Sequence, residues 1–254
     1  RAAFEDRGWL ALKDLLTPTE VTALETAFDE VVAIQPVRPT QVVQWTMARQ
    51  KHPAFDAHLN HRLWPRLAAL LGVEGLQLLQ DVLLFKPAGS VAPIQWHRDH
   101  SYTGYVTPDR VFSVRLSLTD ATPSSGCLEV ISGSHRWPID MGLSVGADRL
   151  GEDVLKRLPA DLARQAQAAR AAVTLSAGGV SVHHCKTVHG SFANTTTTDQ
   201  KVIVCHVFDT RCRLERSRLP LGATDLHFPT DAAGHLCETR FPALRGELSP
   251  ERDA

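Results

Sequence analysis

The chain has 254 residues, 43% of them hydrophobic, enough apolar material for one substantial core, which excludes a disordered chain. Its 27 Lys and Arg balance 28 Asp and Glu, so no charge field draws in nucleic acid or anionic lipid, and a small-molecule partner is expected. The five cysteines (Cys127, Cys185, Cys205, Cys212, Cys237) contain no C-x-x-C pair, which excludes a thiolate zinc site and reads as reduced thiols in a cytoplasm.

The opening Arg1-Ala-Ala-Phe-Glu-Asp6 has no initial Met and no signal-peptide core, and no later run is long enough to span a membrane, so a trimmed cytoplasmic chain is expected. Thr17-Pro18-Thr19-Glu20 is a capping box with Pro at the first helical position. Val21, Leu24, Phe28 and Val31 follow at helical spacing, predicting a helix of roughly four turns. A second helix is expected over Leu63–Leu71, stopped by Gly72, and a buried strand over Leu78–Phe85.

From Pro93 to Phe208 short apolar runs alternate with Gly, Pro, Ser and Asp clusters, the texture of strands joined by turns. Over 111–119, Phe112, Val114, Leu116 and Leu118 take one face, while Ser113, Arg115 and Ser117 take the other. Further strands are expected at Leu128–Ile131, Val180–Val182 and Val202–Phe208, and an Ala-rich helix over Leu150–Ala172. The fold class is mainly β with flanking helices: a cupin-like jelly roll in a single domain over 1–254. Its helical part covers about 1–75, its β core about 76–210 and its C-terminal extension about 211–254.

His97 and Asp99, in Trp96-His-Arg-Asp99, are two apart, so on a strand both project from one face toward a shared ion. A third ligand must come from elsewhere, and the best candidate is His189 in Val188-His-Gly-Ser191. Two histidines and one carboxylate leave three positions open on an octahedral ion, the arrangement of non-haem Fe(II) oxygenases. Taken alone, H-x-D is weak in a chain with 12 histidines, and His183 and His184 compete for the third place. His135 reads as a structural hydrogen-bonder, and His52, His58, His61, His227 and His235 as surface residues.

The wider context resembles the phytanoyl-CoA dioxygenase family. Trp96-His-Arg-Asp99, then Gly126-Cys-Leu-Glu-Val-Ile-Ser-Gly-Ser-His135, then His189-Gly-Ser191 followed by Asn194 match that family's motifs in order and spacing. The likeness covers roughly residues 4 to 210, including Phe4-Glu-Asp-Arg-Gly-Trp9, and departs at Ser132, where Pro is usual. It implies a double-stranded β-helix, Fe(II) on His97, Asp99 and His189, and 2-oxoglutarate and O2 as cosubstrates. It also implies an oxidoreductase that oxidises, most simply hydroxylates, an unactivated C–H while releasing succinate and CO2. With Asp99 present, halogenation is disfavoured.

The resemblance further implies an Arg eleven residues past the last His, gripping the distal carboxylate of 2-oxoglutarate. That position is Gln200, beside Lys201, and counting back from the late-strand His206 gives the same residue. Strand parity turns Lys201 the other way. Arg115, on the polar face of its strand and eighteen residues past His97, is the expected replacement. Ser191, Lys86 and Gln200 itself are further candidates for 2-oxoglutarate, and Gln44 a weaker one.

His100, Tyr102 and Tyr105 are expected in a loop over the site. Arg211, Arg213, Arg216 and Arg218 favour an anionic substrate if they face the pocket. Two other readings stay open on these residues: a cupin-type hydrolase or isomerase using the same ligands with Zn or Mn, and a non-catalytic binding barrel.

Overall fold

The computed structural model describes residues 1–34, 42–139, 154–219 and 227–246. Helix α1 (Ala2–Arg7) and strand β1 (Trp9–Leu12) lead into helix α2 (Pro18–Ala33). At the start of α2 the Thr17 hydroxyl accepts from the Glu20 N–H while the Glu20 carboxylate accepts from the Thr17 N–H, so the capping box forms in full. Strand β2 (Val43–Thr46), helix α3 (Pro53–Ala57) and helix α4 (Leu63–Leu71) follow. Gly72 ends α4 in the left-handed region at φ 68°, as its sequence position implied.

The β core comprises β3 (Leu76–Lys86), β4 (Ile94–His97), the single-turn helix α5 (His100–Thr103), β5 (Val106–Thr107), β6 (Val111–Ser117) and β7 (Leu128–Ile131). It continues with helix α6 (Ala160–Ala168), β8 (Arg170–Val173), β9 (Val180–His184), β10 (His189–Ser191), β11 (Gln200–Asp209) and β12 (Arg213–Leu214). One sheet runs in the order β1-β9-β6-β11-β3-β2, a second β4-β10-β7-β8, and β5 pairs with β12. Every pairing between these strands is antiparallel, and the two larger sheets enclose a cavity.

Strand parity divides the large sheet. Val114, Leu116, Val182, Ile203, Cys205, Leu83 and Phe85 join Val21, Leu24, Phe28 and Leu67 of α2 and α4 in one apolar core. Burying an apolar side chain of this size contributes roughly 1.5–3 kcal/mol, so this face carries much of the stability. The alternate residues, Ser113, Arg115, His183 and His206, turn to the cavity.

Three expectations are corrected. The helix expected over Leu150–Ala172 is broken into a 3-10 helix over Val154–Arg157 and an α-helix over Ala160–Ala168; residues 150–153 lie outside the described residues, and Arg170–Val173 is a strand. There Ala171 and Ala172 pair with Val130 and Glu129 of β7, so sheet pairing overrides alanine's helix propensity. His58 is not a surface residue: it is buried, stacked on His61 at 4.9 Å, and its carbonyl accepts the Trp64 indole N–H. Asp99 is not on a strand, because β4 ends at His97 and the chain there turns into α5.

Candidate metal centre

His97 closes β4 and His189 opens β10, and the two are direct cross-strand partners with ring centroids 4.2 Å apart. Facing residues of an antiparallel pair stand within contact distance, which explains how a 92-residue separation closes. Gly190 permits that approach: a Cβ there would sit 2.9 Å from the Ile94 carbonyl oxygen. Asp99 reaches the same point from the α5 turn, through helical backbone rather than strand parity. Between His97 and Asp99, the buried Arg98 points the opposite way and donates to the carbonyls of Lys186, Ile139 and Ser134, fixing the turn.

The Nε2 atoms of His97 and His189 lie 3.6 and 3.4 Å from Asp99 Oδ1. Cis ligands at ~2.1 Å from one ion stand ~3 Å apart, so this donor set fits a single metal. The Nδ1 atoms of the two rings lie 2.8 and 2.9 Å from the carbonyls of Gln95 and Thr187. A carbonyl accepts only, so each Nδ1 carries a proton, which leaves Nε2 as the atom each ring can offer to a metal. Among the described residues, these three are the group of histidine, cysteine and carboxylate donors positioned to hold a metal ion.

Asp99 is fully engaged. Tyr102 donates its hydroxyl to Oδ1; Ser113 donates its hydroxyl to Oδ2, and His183 Nε2 donates to Oδ2 at 3.1 Å. Ser113 Oγ accepts in turn from His206 Nδ1 at 2.9 Å. Burial pushes the Asp99 carboxyl up, but the surrounding histidines and their hydrogen bonds outweigh it and hold it ionised, well below the usual carboxylate range. Burial pushes His189 and His183 below the ordinary imidazole range. Neutral imidazoles beside an ionised carboxylate are the protonation states a divalent cation needs. His183 is thus a neighbour that spends its Nε2 proton on Asp99.

The cavity beside these donors measures about 540 Å³. Arg115 lines it, 9% exposed, and among the described residues its guanidinium has no hydrogen bond or ion pair to protein. Burial pulls Arg115 down to about 10, still cationic at neutral pH. Ser191 and Gln44 also line the cavity.

Lys86 does not line it. This lysine is fully buried, and its ammonium donates to the Gly126 carbonyl at 2.9 Å, to Ser191 Oγ at 2.7 Å and to the Phe192 carbonyl. Gly126, at φ 91°, makes room for it, since a Cβ there would stand 2.9 Å from Lys86 Cδ. Its ammonium therefore supports Ser191, which does line the cavity. Gln200 pairs with Lys86 across the ladder, is likewise outside the cavity lining, and its buried Oε1 has no partner among the described residues. Lys201 points to α2, its ammonium 2.9 Å from Glu25 and 2.7 Å from Asp29.

Of the three residues expected in a loop, His100 and Tyr102 lie on helix α5 instead; Tyr102 lines the metal cavity, Tyr105 lines a neighbouring one, and His100 pairs with Asp109 at 3.0 Å. None of Arg211, Arg213, Arg216 and Arg218 lines either cavity. Arg211 is tied to Asp209, Arg216 donates to Thr230 and Arg218 to the Gly104 carbonyl. The roles of Ser113, His183 and Tyr102 on Asp99 escaped sequence reasoning. The alternation over 111–119 was the available signal for Ser113, since it shares a face with Arg115.

Comparison with known proteins agrees with this geometry. The family model described as phytanoyl-CoA dioxygenase (PhyH) matches residues 4–202. The ectoine dioxygenase of Sphingopyxis alaskensis is 27% identical over 216 residues, 77% of this chain and 70% of that protein. The phytanoyl-CoA dioxygenase of Arabidopsis thaliana is 25% identical over 161 residues, 61% of this chain and 54% of that one. The crystal structure of SnoK, a non-heme alpha ketoglutarate dependent carbocyclase from nogalamycin biosynthesis, superposes with a TM-score of 0.78 at 24% identity, covering 96% of this chain and 94% of SnoK. EctD from S. alaskensis, crystallised with 2-oxoglutarate and 5-hydroxyectoine, gives 0.70 at 24% identity over 98% of this chain and 86% of EctD. The hydrolase and binding-barrel readings fall away: the chain belongs to the phytanoyl-CoA dioxygenase family and is an Fe(II)- and 2-oxoglutarate-dependent dioxygenase on a jelly-roll fold.

Proposed function

We propose that this enzyme hydroxylates an unactivated C–H of a small molecule, with His97, Asp99 and His189 holding iron and Arg115 and Ser191 holding 2-oxoglutarate. The observation that carries the reading is the convergence of two imidazole Nε2 atoms on one carboxylate oxygen beside a buried guanidinium that has no partner among the described residues. When bound, iron supplies activation of O2 coupled to conversion of 2-oxoglutarate into succinate and CO2.

The protein's own residues do the rest. Arg115 offers a planar pair of donors to the distal carboxylate, recovering the cation that position 200 lacks. Lys86 occupies the Ser191 oxygen as an acceptor, which leaves the Ser191 proton free to point to the same carboxylate. Val82, Leu84, Leu128 and Val204 line the cavity with apolar surface and exclude water from the reacting centre. Tyr102, Ser113 and His183 keep Asp99 oriented and ionised, and a carboxylate in that position favours hydroxylation over halide transfer.

In this reading the chain works as one catalytic domain. Gln77 of β3 supports it by donating to the carbonyls of Leu236 and Phe241, both at 3.0 Å, which stitches the C-terminal segment to the β core. A cytoplasmic setting is supported by the five unpaired cysteines. Among the described residues, no helix is long and apolar enough to cross a membrane.

Anaerobic titration with Fe(II) and 2-oxoglutarate tests the assignment. A visible charge-transfer band is expected for the wild type and lost in His97→Ala, Asp99→Ala and His189→Ala. An unchanged band in any of the three removes that residue from the ligand set.

A further inference from the structure

A second cavity, of about 490 Å³, adjoins the metal chamber and shares Thr46 and Gln80 with it. An irregularity in β3 makes the junction. The ladder with β11 pairs His206 with Gln80 and Val207 with Leu78, leaving Leu79 as an extra residue. Such a bulge breaks strand alternation and re-aims the side chains around it. Leu79 joins the apolar group of Phe208 and Phe241, while Gln80 stands opposite His206 with its amide between the two chambers.

The second chamber is lined with rings. Tyr105 and Phe228 meet edge to face at 4.9 Å, and Phe228 and Phe241 lie nearly parallel at 6.0 Å. Met47 forms its rim, 37% exposed and in the left-handed region at φ 60°. Its turn is clamped by the Met47 N–H donating to the Asp81 carbonyl at 2.8 Å and the Arg49 N–H donating to Asp81 Oδ2 at 2.5 Å. A strained non-glycine residue held in place by its surroundings is a feature of ligand clamps, and a thioether adapts to varied apolar surfaces.

Apart from Arg115, assigned above to 2-oxoglutarate, and Arg240, which is exposed at the edge of the second chamber, the free polar groups named here in the two linings are neutral. Among the described residues, the side chains of Gln44, Thr46, Gln80 and Gln95 and the Tyr105 hydroxyl make no hydrogen bond to protein. Burial pushes the Tyr105 phenol up to about 12, so it stays protonated. Of the charged groups in the second chamber, Arg49 faces Asp56 at 4.0 Å, Asp81 is taken by the Arg49 amide, and Arg240 is exposed. Small-molecule sites typically measure about 300–1,000 Å³, and the metal chamber must also hold 2-oxoglutarate, so a bulky substrate needs the added length.

We propose that the two chambers form one substrate channel that takes an elongated, uncharged, ring-bearing molecule. Its rings lie among Tyr105, Phe228 and Phe241, a hydroxyl or carbonyl meets Gln80 at the junction, and the end to be oxidised reaches the metal chamber. The inference rests on the metal-centre reading above. It replaces the anionic substrate expected from Arg211 to Arg218.

The probe is 6-propionyl-2-(dimethylamino)naphthalene, a neutral, elongated ring compound with a carbonyl acceptor, whose emission moves to the blue in apolar surroundings. It is titrated anaerobically into protein loaded with Fe(II) and 2-oxoglutarate, and the charge-transfer band is read on the same samples. Saturable, blue-shifted emission is expected, with affinity lowered about tenfold or more by Leu79→Trp, which fills the chamber, and by Met47→Trp at its exposed rim. Gln80→Leu should weaken binding about fivefold, the effect of one neutral hydrogen bond. The sulfonated 8-anilinonaphthalene-1-sulfonate should bind more weakly than the neutral probe. No saturable binding, stronger binding of the sulfonate, or undiminished affinity in both Trp variants while they keep the wild-type melting temperature overturns the channel. A missing charge-transfer band with the probe still bound and both Trp variants impaired sinks the metal-centre reading and leaves the channel standing.

Discussion

The two faces of the six-stranded sheet are built from the same strands and differ in almost everything else. On β6, Val114 and Leu116 are buried against α2 and α4, while their neighbours Ser113 and Arg115 are equally buried against the metal cavity. One face gains stability from apolar contact. The other holds a carboxylate, a guanidinium and several imidazoles out of bulk water, which costs stability unless each finds a partner. Asp99 finds three donors within the protein, whereas among the described residues Arg115 finds no partner and opens onto the cavity, which makes it the proposed anchor for a dicarboxylate.

Adjacent substitutions on β6 break this comparison most sharply. Leu116→Ala should cost about 2–5 kcal/mol in urea unfolding, through lost burial and the cavity left behind, with the KM for 2-oxoglutarate unchanged where the protein is folded. Arg115→Leu should do the reverse. It removes a buried cation that has no partner among the described residues, so stability holds or rises, while the KM for 2-oxoglutarate rises about 10- to 100-fold from loss of a charge-assisted contact. A KM that stays within twofold rejects Arg115 as the anchor.

Ser113→Ala comes next. Ser113 links Asp99 to His206, and removing one outer partner of a metal-binding carboxylate typically lowers metal affinity about 10- to 100-fold. Competition for Fe(II) with a chelator measures it. Unaltered affinity would make Ser113 a packing residue.

The helical layer that covers the apolar face has its own buried polar group, which responds to acid. Burial and the neighbouring His61 pull His58 down to about 3 from an ordinary 6.5. Below about pH 6.5 the unfolded chain takes up a proton at this position and the folded chain does not, so folding stability is full above that pH. It then falls by up to about 1.4 kcal/mol per pH unit toward pH 3. His184, pulled down to about 3 by burial and by nearby His135, adds to the loss over the same window. Urea midpoints at pH 7.5 and 5.0 should show His58→Gln losing about 2 kcal/mol less than wild type on acidification. Equal losses would mean that His58 takes a proton without unfolding.

What could be read from the sequence was local. The capping box at Thr17, the stop at Gly72 and the strict alternation over 111–119 depend on neighbours in the chain, and each appears where expected. Short motifs picked out the three donors that the structure brings together, although for the wrong geometric reason, since Asp99 arrives from a helical turn. The donors around Asp99 come from α5, β6 and β9, up to 84 residues away, and no spacing rule links them. Likewise the second chamber depends on a one-residue slip between β3 and β11, a property of the pairing that neither strand announces by itself.

The smallest effect tests strand parity itself. Lys201 neighbours Gln200, where the family's carboxylate-binding Arg is expected, and it is the nearest cation in sequence. Its side chain crosses instead to Glu25 and Asp29 on α2. Burial pushes its ammonium down, but bonds to those two carboxylates outweigh this and hold it above the usual lysine range. An ion pair this close to solvent contributes little, so Lys201→Gln should cost no more than ~1 kcal/mol and leave the KM for 2-oxoglutarate unchanged. A tenfold rise in that KM would require the ammonium to reach the cavity. That reach demands a slip in β11 next to Gln200, and the same slip would turn Val202 and Val204 off the cavity side.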